Sequence, residues 1–221
     1  MTRAKRTLDL VTAGAGLVVL APLLAVVAVL VKTEDGGSVF FRQERVGYRG
    51  RTFRIWKFRT MVPDAGAQGL PLTVGGDSTR IGAWLRRLKL DELPQLFNVL
   101  VGDMTLVGPR PEVPCYVASY DAEQRRVLEL VPGVTDEASI RYVAESALLA
   151  AALDPERVYV SEIVPDKIRL SLAYAAHATV WTDVRVILAT LGQLLRSSNG
   201  AHHTAPAGPT DSSLAARVTT R

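Results

Sequence analysis

The stretch LRRLKLDELPQLFNVLVGDMTLVGPRP, Leu85 to Pro111, decides how this chain reads. It holds Arg86 and Arg87, the adjacent acids Asp91 and Glu92, and a Gly-Pro-Arg-Pro loop, Gly108 to Pro111. Leu93, Leu96, Phe97 and Leu100 recur at three- and four-residue steps, which is one face of a helix. Pro94 suits the first turn, where a missing N–H costs little. Gly102 is a stop signal just beyond. Asp91 then lies at a helix N-terminus, with Gln95 and Asn98 extending the polar face.

A helix N-terminus presents unpaired N–H groups and a partial positive charge. It keeps a carboxylate ionised and also welcomes phosphate. An ionised Asp among phosphate-binding cations is a candidate nucleophile toward phosphorus. Asp is equally a good N-cap residue, so the acid pair alone reads first as ordinary helix chemistry. The cations on either side, Arg86 and Arg87 before and Arg110 after, favour the chemical reading.

The whole chain has 221 residues, enough for one domain with extras, and 48% of them are hydrophobic. Its net charge of +4 suits anionic lipid or phosphate ligands, and nothing points to nucleic acid. Cys115 is the only cysteine, so no intramolecular disulfide forms, and no Cys/His spacing marks a metal site. His202 and His203 fall in a polar tail, and His177 reads as structural.

Upstream, Arg3, Lys5 and Arg6 precede an uncharged run from Leu10 to Val31 that Lys32 closes. The run is long enough to cross a bilayer as a helix. It is long for a signal peptide, and no small-x-small cleavage site precedes Lys32. A single-spanning anchor with its basic start in the cytoplasm would put the remaining domain outside. Pro22, near the centre, permits a third solution. Proline inside a helix removes a hydrogen bond and clashes with the preceding turn, at a cost of about 3 kcal/mol. A helix broken there can enter and leave by one face if its freed backbone groups find partners. A kinked spanning helix is the competing reading of the same proline.

Between this run and the central stretch, Glu34 to Gly37 is a polar turn. Ser38–Arg45 and Arg51–Arg59 read as two strands around the Gly47–Gly50 turn, with Lys57 and Arg59 on one face. Pro63 to Gly76 reads as a mobile loop, and Ile81 to Leu88 as a short helix. Arg86 precedes Asp91 by five residues, so their meeting depends on the turn between them. Downstream, Val113 to Leu130 reads as one or two helices, and Val131 to Thr135 as a turn entering an extended segment. Pro165–His177 and Trp181–Arg196 carry helical periodicity, with Asp183 as a cap. No internal repeat is present. The expected fold is a mainly helical α+β domain with a small β-hairpin. Residues 1–33 are expected to be the membrane segment, 34–197 the domain that carries the candidate catalytic residues and 198–221 a disordered tail.

The central stretch resembles the bacterial sugar transferases, or monotopic phosphoglycosyl transferases. Leu85-Arg86, Leu90 to Leu96, Asn98 to Leu100, Gly102 to Thr105 and Val107 to Pro111 match the family pattern, with Thr105 in place of a serine. FFRQERVGYRGRTFRIWKFRTM, Phe40 to Met61, is similar to a second family pattern. The segment Asp77 to Gly82 is two residues shorter than its family counterpart, which weakens any role for Asp77 or Arg80. Thr135 to Ile140 reads T-D-E-A-S-I where many members have T-G-x-A-Q, like a subgroup of the family. That region bears on the sugar, with Arg141 and Tyr142 as candidate contacts.

The resemblance implies a re-entrant helix-break-helix at Pro22, with Lys5-Arg6 and Asp9 as its entry motif and Ala21 where serine is common. It implies transfer of a sugar phosphate from a UDP-sugar to a membrane polyprenyl phosphate, on the cytoplasmic face of a bacterial plasma membrane. Asp91 is the implied nucleophile and Glu92 the implied Mg²⁺ ligand, with Asp183 supporting the metal or a phosphate-binding cation. Lys57, Arg59, Arg86 and Arg110 are the implied phosphate ligands. Polyprenyl phosphate, UDP-sugar and membrane lipid are the implied partners, and homo-oligomers are left open. Two rivals remain on sequence: a membrane-attached glycosyltransferase that releases UDP, and a membrane-binding protein in which Asp91 only caps.

Overall fold

The structure, a computed structural model, describes residues 1–62 and 78–198, with backbone alone for 195–198. The loop expected from Pro63 to Gly76, Asp77, and the expected tail beyond Ser198 lie outside the described residues. The chain opens with helix α1, Arg3–Asp35, and the antiparallel hairpin β1, Phe40–Val46, with β2, Thr52–Phe58. Helix α2, Arg80–Arg87, a 3₁₀ turn Leu90–Gln95, α3, Leu96–Val101, and β3, Thr105–Val107, make up the central stretch. Then come α4, Pro114–Ala118, and β4, Gly133–Thr135, which pairs in parallel with β3. Helices α5, Glu137–Arg141, α6, Glu145–Ala150, and α7, Pro155–Val158, lead through a π-helical turn, Tyr159–Ile163, to α8, Val164–Ala175, and α9, Val180–Ser198. The fold is mainly helical α+β with a small hairpin, as the sequence predicts; the β3–β4 pair is an addition.

The hairpin register pairs Phe40 with Phe58 and Val46 with Thr52 around Tyr48–Gly50. Lys57 lies within β2, but the strand ends at Phe58, one residue before Arg59. Gly102 ends α3 at φ 97°, as expected of a left-handed stop. The segment after Val131 is a three-residue strand, and Asp136 then caps α5 by accepting the Ser139 N–H at 2.6 Å.

The apolar run forms one helix. The Thr2 side chain accepts the Lys5 N–H at its start, and Gly36, at φ 74°, ends it. Pro22 lies inside this helix, so the expected break between two helices is corrected to a proline carried within one element. A proline leaves the carbonyl four residues back, that of Val18, without its helical donor. The domain holds the helix on both sides of that defect. One stripe packs inward, with Asp9 and Ala13 before the proline and Val27 and Val31 after it. On the outer face Val11, Val18, Val19, Val26 and Val29 are each more than half exposed.

Both ends of α1 are tied to the domain. Lys5 Nζ donates to the Val107 carbonyl at 2.7 Å and to Asp183 Oδ2 at 2.8 Å. Arg6 donates to the Val99 and Leu100 carbonyls at 2.7 and 2.9 Å, satisfying the end of α3. Asp9 accepts the Thr105 hydroxyl at 2.7 Å and the Leu106 N–H at 3.1 Å. At the far end Glu34 accepts the Ile81 N–H at 3.1 Å, and Val27 and Val31 pack with Phe58 and Leu85.

The central stretch also supplies the core. Val99, Met104, Leu106 and Val107 gather with Ala13, Ile55, Tyr174 and Val186. A second cluster, from Val46 and Val113 through Tyr159 to Ile168, fills the helical half. Burying one such Val or Leu side chain is worth about 1.5–3 kcal/mol.

Asp9→Ala would leave the Thr105 hydroxyl and the Leu106 N–H buried without their acceptor. An unsatisfied buried donor costs about 1–3 kcal/mol, so the variant should lose about 3 kcal/mol of unfolding free energy. Denaturant unfolding in nanodiscs measures this, and a variant as stable as the parent would show that the Asp9 anchor is not needed.

Candidate active site

Three segments converge on Glu92. Its Oε1 accepts from Lys57 Nζ at 2.7 Å and from Arg110 Nη2 at 2.6 Å, and its Oε2 accepts from Arg110 Nη1 at 3.2 Å. Lys57 comes from β2, Glu92 from the 3₁₀ turn and Arg110 from the Gly-Pro-Arg-Pro loop. The paired Arg110 contact is the fork geometry that guanidinium offers a carboxylate or a phosphate. Asp91, 7% exposed, lies beside this triad, and its buried Oδ1 has no hydrogen-bond partner among the described residues.

Local structure explains the arrangement. Lys89 takes the left-handed conformation, φ 56° and ψ 19°, and turns the chain from α2 into the 3₁₀ turn. Such a conformation is costly for a residue with a side chain. Asn98, 1% exposed, then locks α3 to the hairpin. Its Oδ1 accepts the Trp56 N–H at 2.9 Å, and its Nδ2 donates to the Arg54 carbonyl at 3.0 Å. The bonds to residues 54 and 56 set the register in which Lys57 reaches Glu92.

The electrostatics separate the two acids. Burial pushes the Asp91 carboxyl above its ordinary value, and the neighbouring Glu92 charge adds to the rise. Lys57, Lys89 and Arg110 oppose it without cancelling it. Burial would raise Glu92 too, but Arg110 and Lys57 more than reverse that and hold it well below its usual range. Burial lowers the Lys57 ammonium, partly offset by Glu92. Arg110 is raised, first by Glu92. The result is a firmly ionised Glu92 beside a carboxyl that ionises less readily.

The other expected site residues lie elsewhere. Arg59 pairs with Asp35 at the end of α1 rather than joining Lys57, because β2 has ended before it. Arg86 donates to Ser78 Oγ at 3.3 Å and pairs with neither Asp91 nor Glu92 among the described residues. Asp183 does not cap α9: Thr179 Oγ1 accepts the Thr182 N–H at 3.2 Å, while Asp183 faces inward to Lys5 and the Tyr174 hydroxyl. It lines a cavity of about 440 Å³ behind Gly108 and Pro109 that neither Asp91 nor Glu92 lines. Tyr142 donates its hydroxyl to Asp166 at 2.8 Å, a structural commitment. Lys89, which bears on both acids, gave no sequence signal, and Asn98 showed only as a polar helix position.

With a nucleophile-type carboxylate, an ion-held neighbour and a phosphate-type fork in place, the likeness to known proteins is specific. The chain matches the bacterial sugar transferase family over residues 1–197 and belongs to it. It is 36% identical over 198 residues to the UDP-N-acetylgalactosamine-undecaprenyl-phosphate N-acetylgalactosaminephosphotransferase of Aeromonas hydrophila, covering 86% of this chain and 43% of that protein. It is 41% identical over 148 residues to a putative undecaprenyl-phosphate N-acetylgalactosaminyl 1-phosphate transferase of Bacillus subtilis, covering 64% of this chain and 79% of that one. The UDP-glucose:undecaprenyl-phosphate glucose-1-phosphate transferase of Caulobacter vibrioides is 36% identical over 200 residues, 88% of this chain and 71% of its own. The chain thus spans less than half of the Aeromonas protein and more than two thirds of the other two.

Asp91→Asn should stabilise the fold near neutral pH. A carboxyl whose folded pKa is raised costs the folded state stability above that pKa, and nothing below the unfolded one. Melting temperatures across pH test the sign. The variant's advantage over the parent should shrink as pH falls into the carboxylate range, and a variant less stable at neutral pH would contradict the raised Asp91.

Proposed function

We propose that this chain transfers a sugar 1-phosphate from a UDP-sugar to polyprenyl phosphate, with Asp91 as covalent nucleophile. The observation that carries the reading is the buried Asp91 Oδ1 with no partner among the described residues, beside a Glu92 gripped by Lys57 and Arg110. A carboxylate in this position has an oxygen free to form a bond, and the adjacent cations suit a diphosphate. The names of the relatives support UDP-sugar and undecaprenyl phosphate as the substrate pair.

An Asp91 oxygen attacks the sugar-bearing phosphorus. The bond from that phosphorus to the bridging oxygen breaks and UMP leaves, giving an aspartyl sugar-phosphate. A phosphate oxygen of the polyprenyl phosphate then attacks the same phosphorus and expels Asp91, forming polyprenyl-diphospho-sugar. Each displacement is easier than one direct exchange between two anionic substrates. Arg110 and Lys57 hold phosphoryl oxygens as charge redistributes.

Mg²⁺ fits this donor set. It uses one or two carboxylates together with substrate phosphates. Among the described residues no three His, Cys, Asp or Glu side chains converge, so the remaining ligands would come from substrate. Glu92 Oε2, which accepts one 3.2 Å bond, would be the protein ligand. The ion would neutralise diphosphate charge.

The same reading extends to the membrane. By length and composition α1 could cross a bilayer, and a straight helix of its 33 residues would be about 50 Å long. Residues at both of its ends are bound to one domain. A crossing would carry one end away from that domain, past a hydrocarbon core of about 30 Å. We therefore place α1 in one leaflet by its outer valine face, with the domain on the cytoplasmic side. Lys5, Arg6 and Lys32 sit on that side, in keeping with the cytoplasmic excess of basic residues.

Incubating the protein in nanodiscs with undecaprenyl phosphate and a panel of UDP-sugars tests the reaction. One UDP-sugar should release UMP, Asp91→Asn should release none, and Glu92→Gln should need more Mg²⁺. Release of UDP would replace the reading with a simple glycosyl transfer, and an active Asp91→Asn would remove Asp91 as nucleophile.

Single cysteines near residues 2 and 210 in a Cys115→Ser background test the membrane placement. Neither should react with an impermeant reagent outside intact cells, whereas labelling near residue 210 alone would mean that the chain crosses. Pro22→Ala should leave both sites unlabelled, because the ties at the two ends of α1 rather than the proline hold the chain on one side; external labelling near residue 210 in that variant would show that the proline does.

A further inference from the structure

The loop that carries Arg110 is difficult to hold. Pro109 and Pro111 have no N–H, so half of the loop's residues offer no backbone donor by which to hold it. On the upstream side β4 does so. The Gly108 N–H donates to the Thr135 carbonyl at 3.0 Å, and the Gly133 N–H donates to the Pro109 carbonyl at 2.9 Å. The approach is so close that a Cβ on Gly133 would stand 2.1 Å from the Gly108 nitrogen.

On the downstream side the grip comes from side chains and one backbone bond. Arg45 Nη1 donates to the Pro111 carbonyl at 3.2 Å, and the Val46 N–H donates to the Glu112 carbonyl at 2.8 Å. The Tyr159 hydroxyl donates to Glu112 Oε1. Glu112 Oε2 lies 3.7 Å from Arg45 Nη1 and accepts the Val113 N–H at 3.2 Å, while Arg45 Nη2 is steadied by Gln43 Oε1 at 2.7 Å.

Tyr159 reaches this position from the first residue of the π-helical turn between α7 and α8. Such turns are rare and gather at functional sites. The ring is fixed from two sides, by Tyr116 with centroids 5.3 Å apart and by Lys167 Nζ 5.5 Å above it. Burial pushes both the Tyr159 hydroxyl up and the Arg45 guanidinium down from their ordinary values, with Glu112 adding to the first and opposing the second. Apolar residues would fill this space at less desolvation cost, so a partly buried arginine and carboxylate beside a buried phenol call for a reason other than packing.

We infer that Arg45, Glu112 and Tyr159 form a clamp of positioning residues that fixes the Gly108–Pro111 loop and so sets where the Arg110 guanidinium meets the transferred phosphoryl group. The inference rests on the phosphosugar-transfer reading and assigns these residues no contact with substrate. Arg110 acts on charge that moves during the displacement, and a small misplacement affects the transition state more than the bound substrate. The clamp therefore acts on kcat more than on KM.

Two variants test it in nanodiscs with undecaprenyl phosphate and the UDP-sugar that the parent uses. Tyr159→Phe keeps the ring and removes only the hydroxyl. Glu112→Gln keeps an acceptor for Tyr159 and removes the charge facing Arg45. Each should lower kcat about tenfold, equivalent to about 1.36 kcal/mol, with KM for the UDP-sugar within about twofold of the parent. In an Arg110→Lys background the same substitutions should each cost less than about threefold, because the guanidinium they position is gone.

Parent-like kcat in both variants overturns the clamp. So does a full tenfold loss that persists in the Arg110→Lys background, since that marks a general structural effect. A parent that transfers no phosphosugar overturns the reaction and the clamp's role together, whereas an active parent confines either failure to the clamp.

Discussion

The interaction on which the rest depends is the grip of Lys57 and Arg110 on Glu92. It joins a strand, a 3₁₀ turn and a proline-bounded loop that are far apart in sequence. A buried ion group of this kind contributes little net stability, because several kcal/mol of desolvation per ion offset the attraction. Its effect is to impose a position. Lys57 and Arg110 are held against Glu92, and Asp91 is left buried with an oxygen that has no partner among the described residues. The raised Asp91 and the depressed Glu92 follow from that one arrangement, since the cations favour the residue they touch and burial penalises its neighbour.

Such a centre needs rigid surroundings, and the fold supplies them through polar bonds to backbone. Asn98 binds the chain at residues 54 and 56, Asp9 binds it at Leu106, and Arg6 closes the end of α3. Each uses a buried or partly buried side chain to satisfy groups that secondary structure leaves open. Two of the three belong to α1, so the long apolar helix also holds the scaffold of the acid pair. A displacement of α1 would thus reach α3 and β3 directly.

The helix itself combines two demands. Its inner stripe carries Asp9, Ala13, Val27 and Val31 toward the domain, and its outer face is apolar and exposed. The proline lies between the two anchored ends, and the domain contacts on either side keep the backbone helical through it.

Sequence alone settled the elements with strong periodicity or strong punctuation. The apolar run, the hairpin around Gly47–Gly50, the stop at Gly102 and the acid pair at the start of its turn were legible because each depends on local chemistry. Lys57, Asp91, Glu92 and Arg110 were picked out from resemblance and charge, and the fold brings them together. Sequence could not place Arg59, Arg86 and Asp183. The first side chain's direction depends on where a strand ends, the meeting of the second with the acid pair on the left-handed turn at Lys89 between them, and the third's direction on a lysine 178 positions away. Nor could it reveal Asn98 as a register lock or Tyr159 as a partner of Glu112, because both roles exist only across long-range contacts. Local pattern fixes which segments are helix, strand or turn, whereas the partner of a buried charge is fixed only when distant segments meet and must satisfy one another.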